Sequence, residues 1–154
     1  MASSTAQSAS WASGASVQVT SVNIEDIEAG LPNGLHDSLL CEYSSNPDQR
    51  RAEFVLDVWV GDLHSTITTE RECHRRARLE LLGLGYLVVE DPDPGYGPLD
   101  ELPVQIDACA ADDDADRAGR VPRGGFAGRF FITEWNSFIH FSALEARLTW
   151  IDTN

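Results

Sequence analysis

Residues 30–62, GLPNGLHDSLLCEYSSNPDQRRAEFVLDVWVGD, leave few folds open. They hold two runs with strand-like alternation, and the connection between them is too short for a parallel crossover. In the first run, 36–45, Leu39, Cys41 and Tyr43 fall on one face. His36, Ser38, Glu42 and Ser44 fall on the other, with Leu40 out of pattern. In the second, 51–60, Phe54, Leu56, Val58 and Val60 make an apolar face opposite Glu53, Val55, Asp57 and Trp59. Pro47 fixes φ between the runs and lacks an N–H, while Asn46 and Asp48 favour local turn bonds. An antiparallel hairpin is expected, with its polar ends His36-Asp37 and Gly61-Asp62 side by side.

The other apolar segments read as strands that pack on this hairpin. Before it, residues 22–29 form a short helix, capped by Ser21 or Asn23 with Glu25 and Asp26 at its positive end. Thr69 to Glu72 has the spacing of a capping box, which predicts a helical turn to about residue 76. Residues 77–90 are strand-like, with a bulge or bend at Gly83 and Gly85. Residues 91–103 contain four prolines and stay irregular. Residues 104–108 read as a short edge strand, 111–125 as a polar loop, and 126–135 and 138–150 as a last strand pair turning at Asn136-Ser137. Six to seven strands with one short N-terminal helix predict a mainly β fold, an antiparallel β-sandwich or open barrel; α+β is the alternative if the helix covers one opening. Residues 1–17, rich in Ser and Ala, are expected to be a disordered arm, and 18–154 a single β-rich domain.

Charge bounds the partners. Twenty-five acids against 11 bases give a net charge of −14, and all the bases are Arg. Ten acids and no base occur from Glu90 to Asp116. That band argues against nucleic acid, which needs a basic face, and suits a basic protein partner. No apolar run reaches the roughly 18 residues of a membrane span, and the N-terminus lacks the pattern of a secretory or mitochondrial address. A cytoplasmic protein with no membrane partner is expected. Cys41, Cys73 and Cys109 are odd in number and scattered, so they are read as reduced thiols.

No established catalytic or metal motif is present. His36-Asp37 invites a metal reading, but His64, His74 and His140 do not complete a ligand spacing, so neither a metal nor a cofactor is expected. The run Asp112-Asp113-Asp114-Ala115-Asp116 lacks the Gly and the Glu of a calcium loop, with Arg117 and Arg123 in their places. Arg123 to Arg129 has neither the lysine nor the glycine spacing of a phosphate loop, and no G-x-S-x-G occurs. Trp59, Trp135, Trp150, Tyr43 and Phe138 are expected mostly in the core, with an aromatic ligand cavity as the alternative.

The motifs GLHD, WVGD, RARL and WN-x-FIH, with FFITEWNSFIHFSALEARLTW around the last, resemble a family of small uncharacterised bacterial domains over about residues 30–151. The opening is similar to immunity-protein-like domains of toxin systems. The positions that match are His36, Asp37, Trp59, Gly61, Asp62, Arg78, Trp135, Asn136, Phe138 and His140. The resemblance implies that a ligand or partner site would draw on His36, Asp37, Trp59, Asp62, Trp135, Asn136 and His140, with no catalytic residue assigned. The expected function is a non-enzymatic acidic protein-binding domain, an immunity- or antitoxin-like partner of a basic protein. The alternative is a small-molecule-binding sandwich or weak hydrolase using His36, Asp37, Asn136 and His140. Self-association through an exposed strand edge is a further expectation.

Overall fold

A computed structural model describes residues 18–21, 23–114 and 116–151. The arm expected at 1–17 lies outside the described residues. Strands β1 (Gln18–Ser21), β2 (Ser38–Asn46), β3 (Arg51–Trp59), β4 (His74–Leu82), β5 (Tyr86–Val89), β6 (Val104–Ala111), β7 (Phe126–Ile132), β8 (Ser137–Ala143) and β9 (Glu145–Trp150) form one antiparallel sheet. Its order is β1-β9-β4-β3-β2-β6-β7-β8-β5. The fold is mainly β, and the sheet is not closed into a barrel: β1 and β5 are its edges.

Among the described residues nine strands replace the six or seven expected, for a physical reason. Segments 77–90 and 138–150 each break at a bend, so that β4 pairs with β9 and β5 pairs with β8. Gly85 lies in one bend, where a Cβ would meet the Arg120 carbonyl oxygen at 2.3 Å. The bend at Gly83–Gly85 was legible; the matching one at Leu144, where its N–H donates to the carbonyls of Leu82 and Gly83, was not. β1 was not anticipated at all.

The bends fold the sheet over its own inner face. Phe54 on β3 meets Phe130 on β7 edge-on at 5.6 Å and Phe141 on β8 at 6.2 Å. β3 and β7 are separated in the sheet by β2 and β6, which at about 4.8 Å per strand would hold them near 14 Å apart in a flat sheet. The core is therefore sandwiched between β9-β4-β3-β2 and β6-β7-β8-β5, with Ala77, Leu79, Leu81, Leu148, Ile132 and Ile139 buried between them.

The β2–β3 hairpin forms as read, with one correction. Leu40 is buried and Leu39 only partly so, because the register shifts between Leu40 and Glu42. This bulge at Cys41 reverses the facing of the strand, so Leu40 and then Tyr43 face the core side. Leu40 was out of pattern for that reason.

Three further expectations are corrected. β6 is not an edge: it joins β2 on one side and β7 on the other. The capping box at Thr69 does not form. Helix α2 covers only Thr68–Arg71, because pairing of His74–Arg76 with β3 takes the residues that would extend it, and Arg76 pairs with Asp57 at 2.9 Å instead of Glu72. The last strand pair turns over Thr133–Asn136, wider than Asn136-Ser137, since Ser137 already belongs to β8. Helix α1 (Ile24–Gly30) starts as expected at Asn23, whose side chain accepts the Asp26 N–H at 2.9 Å, and buries Ile24 and Ile27. Among the described residues no helix is long and apolar enough to cross a membrane.

Candidate functional site

β8 is buried on both faces. Ile139, Phe141 and Ala143 point to the core, while His140 and Ser142 lie on the outer face and are still buried. Burial there follows from the segment after β6, which folds back over β5 and β8 and ties down by polar contacts. Ser142 Oγ donates to the Arg120 carbonyl at 3.2 Å. His140, only 4% exposed, has Nε2 at 2.5 Å from Glu90 Oε2 and Nδ1 at 3.2 Å from Asp112 Oδ1. Tyr86 Oη donates to the other oxygen of Asp112 at 2.7 Å. Arg117 pairs with Asp114 at 2.6 Å and lies 3.5 Å from His140 Nδ1.

Burial opposes the charge of Asp112, whose side chain is fully enclosed. Hydrogen bonds from Tyr86 and His140, with the charge of Arg117, outweigh burial and hold the carboxyl below the usual range. Burial first, and the bond to Asp112 second, push the Tyr86 phenol up. Every polar partner in this group is engaged, so its direct effect is to clasp the acidic loop to the sheet.

A second polar group gathers Asn33, Ser38 and Trp59 near the ends of the hairpin. Asn33 Nδ2 donates to the carbonyls of Trp59 at 3.3 Å and Gly61 at 2.9 Å. The Trp59 N–H reaches Ser38 Oγ at 3.4 Å, and its indole N–H donates to the Arg71 carbonyl at 2.8 Å. A Cβ on Gly61 would stand 1.8 Å from that same carbonyl oxygen, so glycine is required. Asp62 accepts the His64 N–H at 2.9 Å and shapes the next turn.

Asp37 has a left-handed backbone, φ 61°, and its N–H donates to the Ile106 carbonyl at 2.9 Å. Its carboxylate accepts from Gln105 Nε2 at 2.5 Å and faces His36 Nδ1 at 3.0 Å. A register shift in β6 between Ile106 and Ala108 brings Asp107 to the same place. His36, Asp37 and Asp107 each offer one ligand atom within 4.8 Å of the others. These described residues could hold a divalent cation through one nitrogen and two oxygens. The His36–Asp37 pair and the Gln105 amide already account for the geometry of Asp37. Asp37→Ala is expected to cost about 1 kcal/mol, near 3 °C in melting temperature, with calorimetry as the check. An unchanged melting temperature would show that the Gln105 bond contributes nothing to the fold.

Trp135 is a core residue, 1% exposed, and its indole N–H has no partner among the described residues. Asn136, at φ 48°, makes the turn before β8 and donates to Asp93 at 2.6 Å. Of the seven residues expected at a site, His36 and Asp37 lie together beside Gln105, Trp59 is tied to Ser38 and the Arg71 carbonyl, Asp62 shapes the next turn, Trp135 is in the core, Asn136 bonds Asp93 and His140 bonds Glu90 and Asp112. β6 and β7 stand between β2, which His36-Asp37 precede, and the β8 of His140. Two clefts of about 260 Å³ lie elsewhere, one along Ser44–Asn46, Gln49 and Arg51–Glu53, the other between α1 and Cys109–Ala111.

Tyr86, Glu90, Asp112 and Arg117 were not among the residues expected at a site; Asp112 and Arg117 entered only in the rejected calcium-loop comparison and Glu90 only as the start of the acidic band. The available signal was His140 itself, set in the apolar run Phe138-Ile139-His140-Phe141, where a strand buried on both faces must supply partners for it. The three cysteines are free. Burial raises the thiols of Cys41 and Cys109, which keeps them protonated and poorly nucleophilic.

No protein-family model matches the chain, and no curated protein or solved structure matches it.

Proposed function

We propose that the protein is a non-enzymatic binding domain that holds a basic protein partner through an acidic face. The observation that carries this reading is the separation of matched from unmatched charge. On the outer face of β3 and β4, Arg51, Arg76 and Arg78 each pair with an acid across the ladder, Glu80, Asp57 and Glu53. In the Glu90–Asp116 band, Asp91, Asp93, Asp100, Glu101, Asp107, Asp113 and Asp116 are exposed. Asp91, Asp100 and Glu101 make no ion pair among the described residues. Unmatched charge of one sign steers an oppositely charged partner and raises its association rate.

The engaged His140 group and the raised thiols favour binding over catalysis. The similarity of the opening motifs to immunity-protein-like domains would make the partner a basic toxin domain. The test is affinity capture from the source cell with the wild-type chain and with Asp91→Asn/Asp100→Asn/Glu101→Gln. A basic protein retained by the wild type and lost by the variant is expected. Equal recovery by both, or no basic protein at low salt, overturns the reading.

A further inference from the structure

The acidic band meets a sheet edge. Among the described residues β5 is the last strand in the sheet and pairs only with β8. Its register sets Tyr86 opposite Ser142 and Val88 opposite His140, and the Glu90 N–H donates to the Phe138 carbonyl at 3.0 Å. Antiparallel pairing alternates, so Tyr86, Val88 and Glu90 turn their backbone groups toward β8, while Leu87 and Val89 turn theirs away. The amides of Leu87 and Val89 donate to no other described element.

Exposed acid stands at the end of this edge; at its start Asp112 is enclosed and already bonded to Tyr86 and His140. Glu90 and the exposed Asp91 follow its last residue. Arg120 stacks on the Tyr86 ring at 5.5 Å, and Arg117 is paired with Asp114. The outward backbone of β5 therefore offers donors and acceptors for one more strand, in surroundings that select positive side chains.

We infer that β5 binds its partner by strand addition, taking a basic extended segment of another protein along Leu87–Val89. This rests on the acidic-face reading above and specifies the contact it uses. The partner's amides and carbonyls pair with those of Leu87 and Val89, and its Arg or Lys side chains reach Asp91 and its neighbours. β5 is short, which limits indiscriminate pairing and leaves charge to choose the occupant.

The test uses the full chain and an octapeptide of alternating arginine and valine, followed by amide hydrogen exchange and by titration at low salt. Binding should slow exchange of the Leu87 and Val89 amides at least tenfold and leave that of Val88, already bonded to β8, unchanged. Val89→Pro removes an outward donor but no bond to β8. It should weaken the peptide at least tenfold; because the Val89 side chain packs against the core, the melting temperature falls somewhat, and titration is done where the variant is folded. If Val89→Pro does not fold, exchange in the wild type decides alone. Peptide binding without protection of Leu87 and Val89 overturns strand addition and leaves the acidic face standing. No saturable binding overturns strand addition, while the capture experiment judges the acidic face separately. Protection of both amides in a peptide-free dimer also overturns it, because the edge is then taken by a second copy of this chain.

Discussion

Asp112→Ala is expected to destabilise the protein by about 3 kcal/mol, the lower end for breaking a buried charged pair. The substitution leaves the Tyr86 hydroxyl without its acceptor and His140 with Glu90 as its one carboxylate. Glu90 is 38% exposed at its side chain and compensates in part, which keeps the loss at the low end. The pH dependence follows from the depressed carboxyl of Asp112. A group with a lowered folded value stabilises fully above its unfolded value, near 3.9, and loses that contribution as pH falls through the folded value. Asp112→Asn should therefore differ most from the wild type at neutral pH, and the gap should close in strong acid. Urea unfolding at neutral pH and below pH 3 measures both effects. Equal midpoints at neutral pH would show that the clasp does not hold the loop.

Phe54→Ala is expected to cost about 4 kcal/mol, in the range for a fully buried aromatic. At 154 residues that corresponds to roughly 10 °C in melting temperature. Phe54 is 0% exposed and touches rings from β7 and β8, strands that the ladder order keeps apart. Its removal opens a cavity where the two halves of the sheet meet, and β-sheet backbones close such cavities poorly. Thermal unfolding is the check, and a loss under 1 kcal/mol would contradict the packing of the halves on one another.

These residues show what sequence alone could reach. Phe54 was legible as core because β3 alternates cleanly from Ala52 to Val58, buried against half-exposed. The hairpin was legible because its turn is short and chemically marked. Leu40 gave a true but uninterpreted signal, since a bulge is visible in one strand only as a break in period. The interior position of β6 was hidden: residues 107–111 are mostly exposed on a strand that nonetheless pairs on both sides. The polar group around His140 joins Glu90 and Asp112, 50 and 28 residues away, and only the fold brings such distant acids to one ring. By contrast, the approach of Ser38 to Trp59 followed from the hairpin geometry itself. What the hairpin did not indicate was Gln105 and Asp107, contributed by β6.

The acidic face is the claim on which the functional account stands. Its most direct measurement is the affinity of the captured basic partner for the wild-type chain across a range of salt concentrations. The account predicts that affinity falls steeply as salt rises. It also predicts that Asp91→Asn/Asp100→Asn/Glu101→Gln flattens that dependence. An affinity that is indifferent to salt and equal in the variant would contradict it.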